Sequence, residues 1–161
     1  GLMGKNGKEI AALLFPADTP EEGERMLNRC LAAENAYLAV HGGRLFDGMT
    51  ETLRKLKERG VFLGIVSNCQ AGYIEAFLEA HGLAGLVDDT ECYGRTGMSK
   101  GKNIRLVAER NGLERVTYVG DTMGDYEAAK EAGVKFIHAA YGFGSVPEGT
   151  AAIRDIRELI S

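Results

Sequence analysis

Apolar residues along this chain follow two rhythms, and the change between them falls near Phe46-Asp47-Gly48. Before that point the spacing is helical throughout. Ile10, Leu13 and Leu14 form a short stripe that Pro16 ends. Asp18-Thr19-Pro20-Glu21-Glu22 then opens a second helix, with Thr19 as N-cap, Pro20 at the first helical position and acids in the first turn. Met26, Leu27, Cys30, Leu31, Ala33, Tyr37 and Leu38 recur at helical intervals until His41-Gly42-Gly43.

After Gly48 the pattern alternates. A helix carrying Leu53 and Leu56 stops at Gly60, and Val61–Val66 follows as a short apolar run of the kind buried on both faces of a parallel sheet. Tyr73, Ile74, Phe77 and Leu78 predict a helix closed by Gly82, and a weaker strand falls around Val87–Tyr93. A helix around Ile104–Ala108 ends at Asn111-Gly112. Strand Val116–Val119, helix Tyr126–Ala132, strand Val134–Ile137 and a closing helix Ala152–Ile160 complete the series. Repeated strand–helix units of this length predict an α/β fold, a parallel sheet with helices on both faces. In such sheets ligands collect at the carboxyl ends of the strands.

Composition narrows the field. With 161 residues, 45% of them hydrophobic, the chain can bury one core without disulfides or structural metals. A formal charge of −4 argues against a generic nucleic-acid surface. No apolar run reaches the ~20 residues that span a bilayer, and Gly1–Gly7 lacks an apolar secretory core, so the expectation is a cytoplasmic protein. Cys30, Cys69 and Cys92 form no CxxC pair and suit reduced thiols, with Cys69 of interest for its position.

Three polar groups stand at strand or helix ends. Asp121 and Asp125, in Gly120-Asp121-Thr122-Met123-Gly124-Asp125, converge across a strand-to-helix turn. Taken alone they suit two roles equally: holding a hard cation such as Mg2+, or capping a helix and favouring its dipole. Ser67-Asn68 follows an apolar run and offers hydroxyl and amide hydrogen bonds either to a phosphate or to its own turn. Lys100, in Ser99-Lys100-Gly101-Lys102, is a fixed charge or a solvated lysine. No GxGxxG follows a strand, which argues against a Rossmann-type dehydrogenase.

The order of these groups resembles the haloacid dehalogenase (HAD) superfamily, and more narrowly its phosphoglycolate-phosphatase-like branch. Phe46-Asp47-Gly48-Met49, the helix ending at Gly60, and Tyr118-Val119-Gly120-Asp121-Thr122 followed by Ala128-Ala129-Lys130-Glu131-Ala132-Gly133 are similar to that family across roughly residues 46–144. The resemblance implies a partial α-helical cap in residues 1–47 and a Rossmannoid core in 48–161. It implies a Mg2+-dependent hydrolase acting on a small phosphorylated metabolite through an aspartyl-phosphate. Ser67 and Asn68 would bind the phosphoryl group. Lys100, with Lys102 as the fallback, would balance its charge, Asp121 and Asp125 would hold Mg2+, and Tyr141-Gly142 would lie at the rim.

One family motif has no match. The strand ending in Asp-x-Asp, which supplies nucleophile and general acid, is not found; Leu13–Thr19 imitates it only with proline in the nucleophile's place. The resemblance therefore implies negligible activity for these residues alone. It also implies a gap between the strands ending at Ser67 and Gly120, to be filled by Ala11–Phe15, a self-associated copy or another segment, or closed by the two halves meeting. The rival readings are a non-catalytic domain that binds phosphate or a partner, a HAD phosphomutase, and a dehalogenase. The two acids fit the dehalogenase least.

Overall fold

A computed structural model describes residues 7–161. Helix α1 (Gly7–Leu14) and helix α2 (Pro20–His41) pack side by side as a hairpin. The turn between them is set by chemistry read above. Thr19 accepts the Glu22 amide, Glu22 reaches back to the Thr19 backbone, and Pro20 starts the helix without losing a bonded N–H. At the other end Gly42, at φ 62°, directs its N–H to the Leu38 carbonyl and lies against His81.

The remainder alternates as expected. Helix α3 (Met49–Glu58) precedes β1 (Gly64–Ser67), α4 (Tyr73–Ala80), β2 (Asp89–Cys92) and a single-turn α5 (Tyr93–Thr96). Then come α6 (Lys100–Arg110), β3 (Thr117–Gly120), α7 (Met123–Ala132), β4 (Lys135–Ala139) and β5 (Ala152–Ile153), with a final 3-10 helix over Ile156–Ile160. Every strand pairing is parallel. Ile74, Leu78, Leu83 and Cys92 form a buried cluster joined by Leu53, Ile65 and Phe77. Each large apolar side chain buried this way contributes roughly 1.5–3 kcal/mol.

The closing segment differs from expectation. Ala152–Ile160 is not one helix but a short strand and a 3-10 turn. Ile153 is buried beside Ala139, its carbonyl accepts the Ala140 N–H, and Asp155 starts a new cap. Burial of Ile153 and a capping acid two residues later outweigh the helical spacing of the apolar positions.

The sheet is split. β1 pairs with β2, and β3 with β4 and β5, but β1 and β3 are not paired with each other. Between them lies a cavity of about 1200 Å³ lined by Gly64, Val66, Thr117 and Tyr118 from the two strands. For this reason the apolar run Val61–Val66 is not buried on both faces: only Gly64–Ser67 is strand, Gly64 is exposed, and Val61 is 40% exposed. The expected gap between Ser67 and Gly120 is thus a slot in this structure. Ala11–Phe15 does not fill it, since residues 7–14 are helical and pack on α2, and the two halves do not meet as one sheet. Among the described residues one side chain bridges the strands, the Tyr118 hydroxyl donating to the Val66 carbonyl at 2.9 Å.

That bridge satisfies a strand carbonyl that would otherwise face the slot. Tyr118→Phe should lower unfolding free energy by about 1 kcal/mol, the usual net contribution of one hydrogen bond. Urea titration checks this, and unchanged stability would mean that the bridge carries no load.

Candidate phosphate and cation site

β1 and β3 run the same way and deliver Ser67 and Asp121 to the same end of the molecule. There a cavity of about 770 Å³ lies between the strand ends and the α1–α2 hairpin. Ser67, Asn68, Lys100, Asp121, Thr122 and Asp125 line its floor. All five of the proposed site residues are therefore in one place. Lys102 is not: it is exposed, and its backbone N–H serves the Ser99 cap. Of the two lysines, Lys100 is the one that lines the cavity and pairs with Asp125.

Asp125 is the most constrained of the acids, at 5% exposure. Its Oδ2 accepts the Thr122 hydroxyl at 2.7 Å, the Thr122 amide at 3.0 Å and the Asp121 amide at 3.2 Å. Its Oδ1 accepts Lys100 Nζ at 2.6 Å. Burial pushes its carboxyl upward, but the Lys100 charge and these donors outweigh that and hold it below the usual carboxylate range. Gly120 makes room for this arrangement, since a Cβ there would lie 2.5 Å from the Asp125 Cβ. The cap weighed for Asp121 belongs instead to Thr122, and Asp125, weighed for the helix dipole, completes that capping box from the first turn while also binding Lys100.

Asp121 is freer. Among the described residues its carboxylate accepts one hydrogen bond, from the Phe143 amide to Oδ2 at 2.8 Å. Ser67 Oγ accepts the Cys69 amide at 3.2 Å, which leaves its proton for another acceptor. Burial pushes the neighbouring Cys69 thiol up to about 11, so the thiol is a packing group rather than a nucleophile. Gly94 on α5 presses on the same turn: its N–H donates to the Cys69 carbonyl at 3.0 Å. A Cβ there would overlap the backbone of Gln70 and Ala71. Gln70 in turn donates to Asn35 at 2.9 Å, and Asn35 to the Ala71 carbonyl at 3.2 Å, tying α2 to the turn after Ser67.

Among the described residues no group of three or more His, Cys, Asp or Glu is placed to hold a metal. Mg2+ does not require one, because it commonly takes one or two carboxylates and completes its shell with water and phosphate oxygens. The open oxygen of Asp121, with Asp125 directly behind it, fits that demand.

Sequence reasoning missed three contributors. Tyr118 sits within an apolar strand, where its hydroxyl was the one available signal. Gln70 had no motif to mark it. Phe143 acts through its backbone amide, which no side-chain pattern records.

A family profile described as haloacid dehalogenase-like hydrolase matches residues 1–139. The chain belongs to this family. Among relatives, it is 32% identical over 134 residues to a phosphoglycolate phosphatase of Synechococcus elongatus, covering 82% of this chain and 58% of that protein. It is 30% identical over 129 residues to the phosphoglycolate phosphatase of Escherichia coli (strain K12), covering 76% and 50%. The chain thus spans between half and three fifths of these relatives' length. The fold is shared with a haloacid dehalogenase-like family protein from Streptococcus pneumoniae, at TM-score 0.81 and 18% identity over 99% of this chain and 77% of that one. It is also shared with a HAD-superfamily hydrolase, subfamily IA, from Geobacter sulfurreducens, at 0.69 and 23% over 95% and 70%.

Removing the Asp125 carboxylate leaves a largely buried ammonium without its partner. Asp125→Ala should cost about 3–5 kcal/mol of stability at pH 7 in metal-free buffer. Because the folded-state pKa of Asp125 is depressed, its contribution is complete above the unfolded value of about 4 and fades as pH falls through the lower folded value. Urea midpoints for wild type and variant should therefore converge toward acid pH. A constant difference down to the lowest pH at which both fold would contradict this account.

Proposed function

We propose that this site binds the phosphoryl group of a small phosphate monoester beside Mg2+, and that the protein is a phosphohydrolase. One observation carries the reading: side chains from three separate connections, after β1, before α6 and after β3, line a single cavity. A helix cap or a solvated lysine needs no such convergence.

The chain's own groups divide the work as follows. Ser67 Oγ–H donates to a phosphoryl oxygen, and the Asn68 carboxamide adds a second donor. Lys100 uses one ammonium proton on Asp125 and turns the others to the phosphate, as a point charge whose position the ion pair fixes. Asp121 holds the cation, with Asp125 behind it as the second acid of the pair. When bound, Mg2+ supplies positive charge against the phosphoryl oxygens. The α1–α2 hairpin roofs the cavity and faces the leaving group. Relatives named phosphoglycolate phosphatase make a small carboxylated monoester the first ligand to try.

Residues 1–161 contain no Asp-x-Asp. The groups present therefore supply positioning and charge neutralisation, the larger part of phosphoryl-transfer catalysis, without a nucleophile. A strand from another segment or a second copy, paired in the slot between β1 and β3, would complete the sheet and end beside Ser67 and Asp121. The missing pair also favours a second reading, a phosphate-binding domain without chemistry of its own.

Calorimetry with inorganic phosphate in Mg2+ buffer tests the site. Ser67→Ala and Lys100→Met should each weaken binding by about 10-fold or more, since hydrogen bonds to charged groups contribute roughly 1.5–3 kcal/mol. Equal affinity in both variants would remove the phosphate assignment. Fast turnover of an aryl phosphate by residues 1–161 would show that the chemistry does not need the absent motif.

A further inference from the structure

The two acids of the site are fixed in unlike ways. Asp125 is held by its own helix terminus and by Lys100, whereas Asp121 meets none of those donors. What meets it is the loop after β4. Phe143 donates its amide to Asp121 Oδ2 at 2.8 Å, and two glycines on either side of Phe143 lie hard against the same residue. A Cβ at position 142 would overlap the Asp121 Cβ and stand 2.5 Å from its Oδ2 and 2.7 Å from its Cγ. A Cβ at position 144 would stand 2.6 Å from the Asp121 carbonyl oxygen and 2.9 Å from the Thr122 Cα. Neither glycine is in the left-handed region, so space rather than backbone conformation demands them.

The loop is itself anchored. The Ala140 amide donates to Ile153 on β5 at 2.9 Å, the Gly142 amide to the Ala139 carbonyl at 2.9 Å, and the Tyr141 ring packs edge-on to Phe46 at 4.9 Å. The base of the loop is therefore part of the sheet, while its tip touches the carboxylate.

We infer that Gly142 and Gly144 are positioning residues for Asp121: they let the loop close onto the carboxylate, so that the Phe143 amide takes one oxygen and leaves the other oriented for a cation. This rests on the reading of Asp121 as the cation-holding residue. An amide bonded to a ligating carboxylate fixes its plane before the ion arrives, and loss of such outer partners commonly weakens metal binding by about 10–100-fold. A methyl group at 142 would meet the Cβ, Cγ and Oδ2 of Asp121 and so displace its carboxylate.

The test uses Mn2+ as a paramagnetic probe, with free Mn2+ counted by electron paramagnetic resonance. Gly142→Ala should bind Mn2+ at least about 10-fold more weakly than wild type, measured at a temperature where the metal-free forms of both are folded. Gly85→Ala, at a glycine with nothing within 4 Å, should match wild type. Equal affinity in wild type and Gly142→Ala overturns the inference and leaves the cation site standing. Failure of wild type itself to bind Mn2+ overturns the cation reading beneath it. Should Gly142→Ala not fold, amide exchange in the wild-type background decides. Asp121→Ala should then expose the Phe143 amide to faster hydrogen exchange, and unchanged exchange there refutes the latch.

Discussion

A carboxylate taken out of water must find donors, and that requirement at Asp125 organises the end of the molecule where the strands β1 and β3 stop. Donors converge on it from the β3–α7 turn, from the Tyr118 hydroxyl on β3 and from the first residue of α6. Because Lys100 is one of them, the start of α6 is clamped to the start of α7, and the two helices pack along their length. The clamp also fixes where the ammonium charge sits, which a long flexible lysine would not do alone. Position of charge, more than quantity of charge, is what a phosphoryl site needs.

Much of this could be read from residue order. Thr19-Pro20 with Glu22, and Thr122 with Asp125, are local capping chemistry, and local chemistry survives into the fold. Helices closed by glycine ended close to where the glycines stand. The strand ends were legible because apolar runs stop at Ser67 and near Gly120, and parallel topology then forces both onto one edge. The choice between Lys100 and Lys102 was not legible. It depends on which lysine the helix start turns toward Asp125, a tertiary fact with no trace in spacing.

Misreadings have physical causes of the same kind. Ala152–Ile160 has helical periodicity, yet an adjacent strand edge claims Ala152 and Ile153 first. Val61–Val66 has the composition of a doubly covered strand, but cover depends on a neighbour, and on one side its neighbour is the slot. Asp121 and Asp125 look equivalent in sequence. In space one is saturated and the other is served mainly by a backbone amide 22 residues away.

The long helix α2 is fastened at two places, and this joins the roof of the cavity to its floor. Its C-terminal end rests at Gly42 against Ala80 and His81, and the Gly43 amide bonds to the His81 ring at 3.1 Å. Midway along, Asn35 grips Gln70 and Ala71 through neutral hydrogen bonds. Neutral pairs of this kind contribute only about 1 kcal/mol each. At 22 residues the helix is about 33 Å long, so one rigid element both lines the cavity and is tied to the turn that follows Ser67.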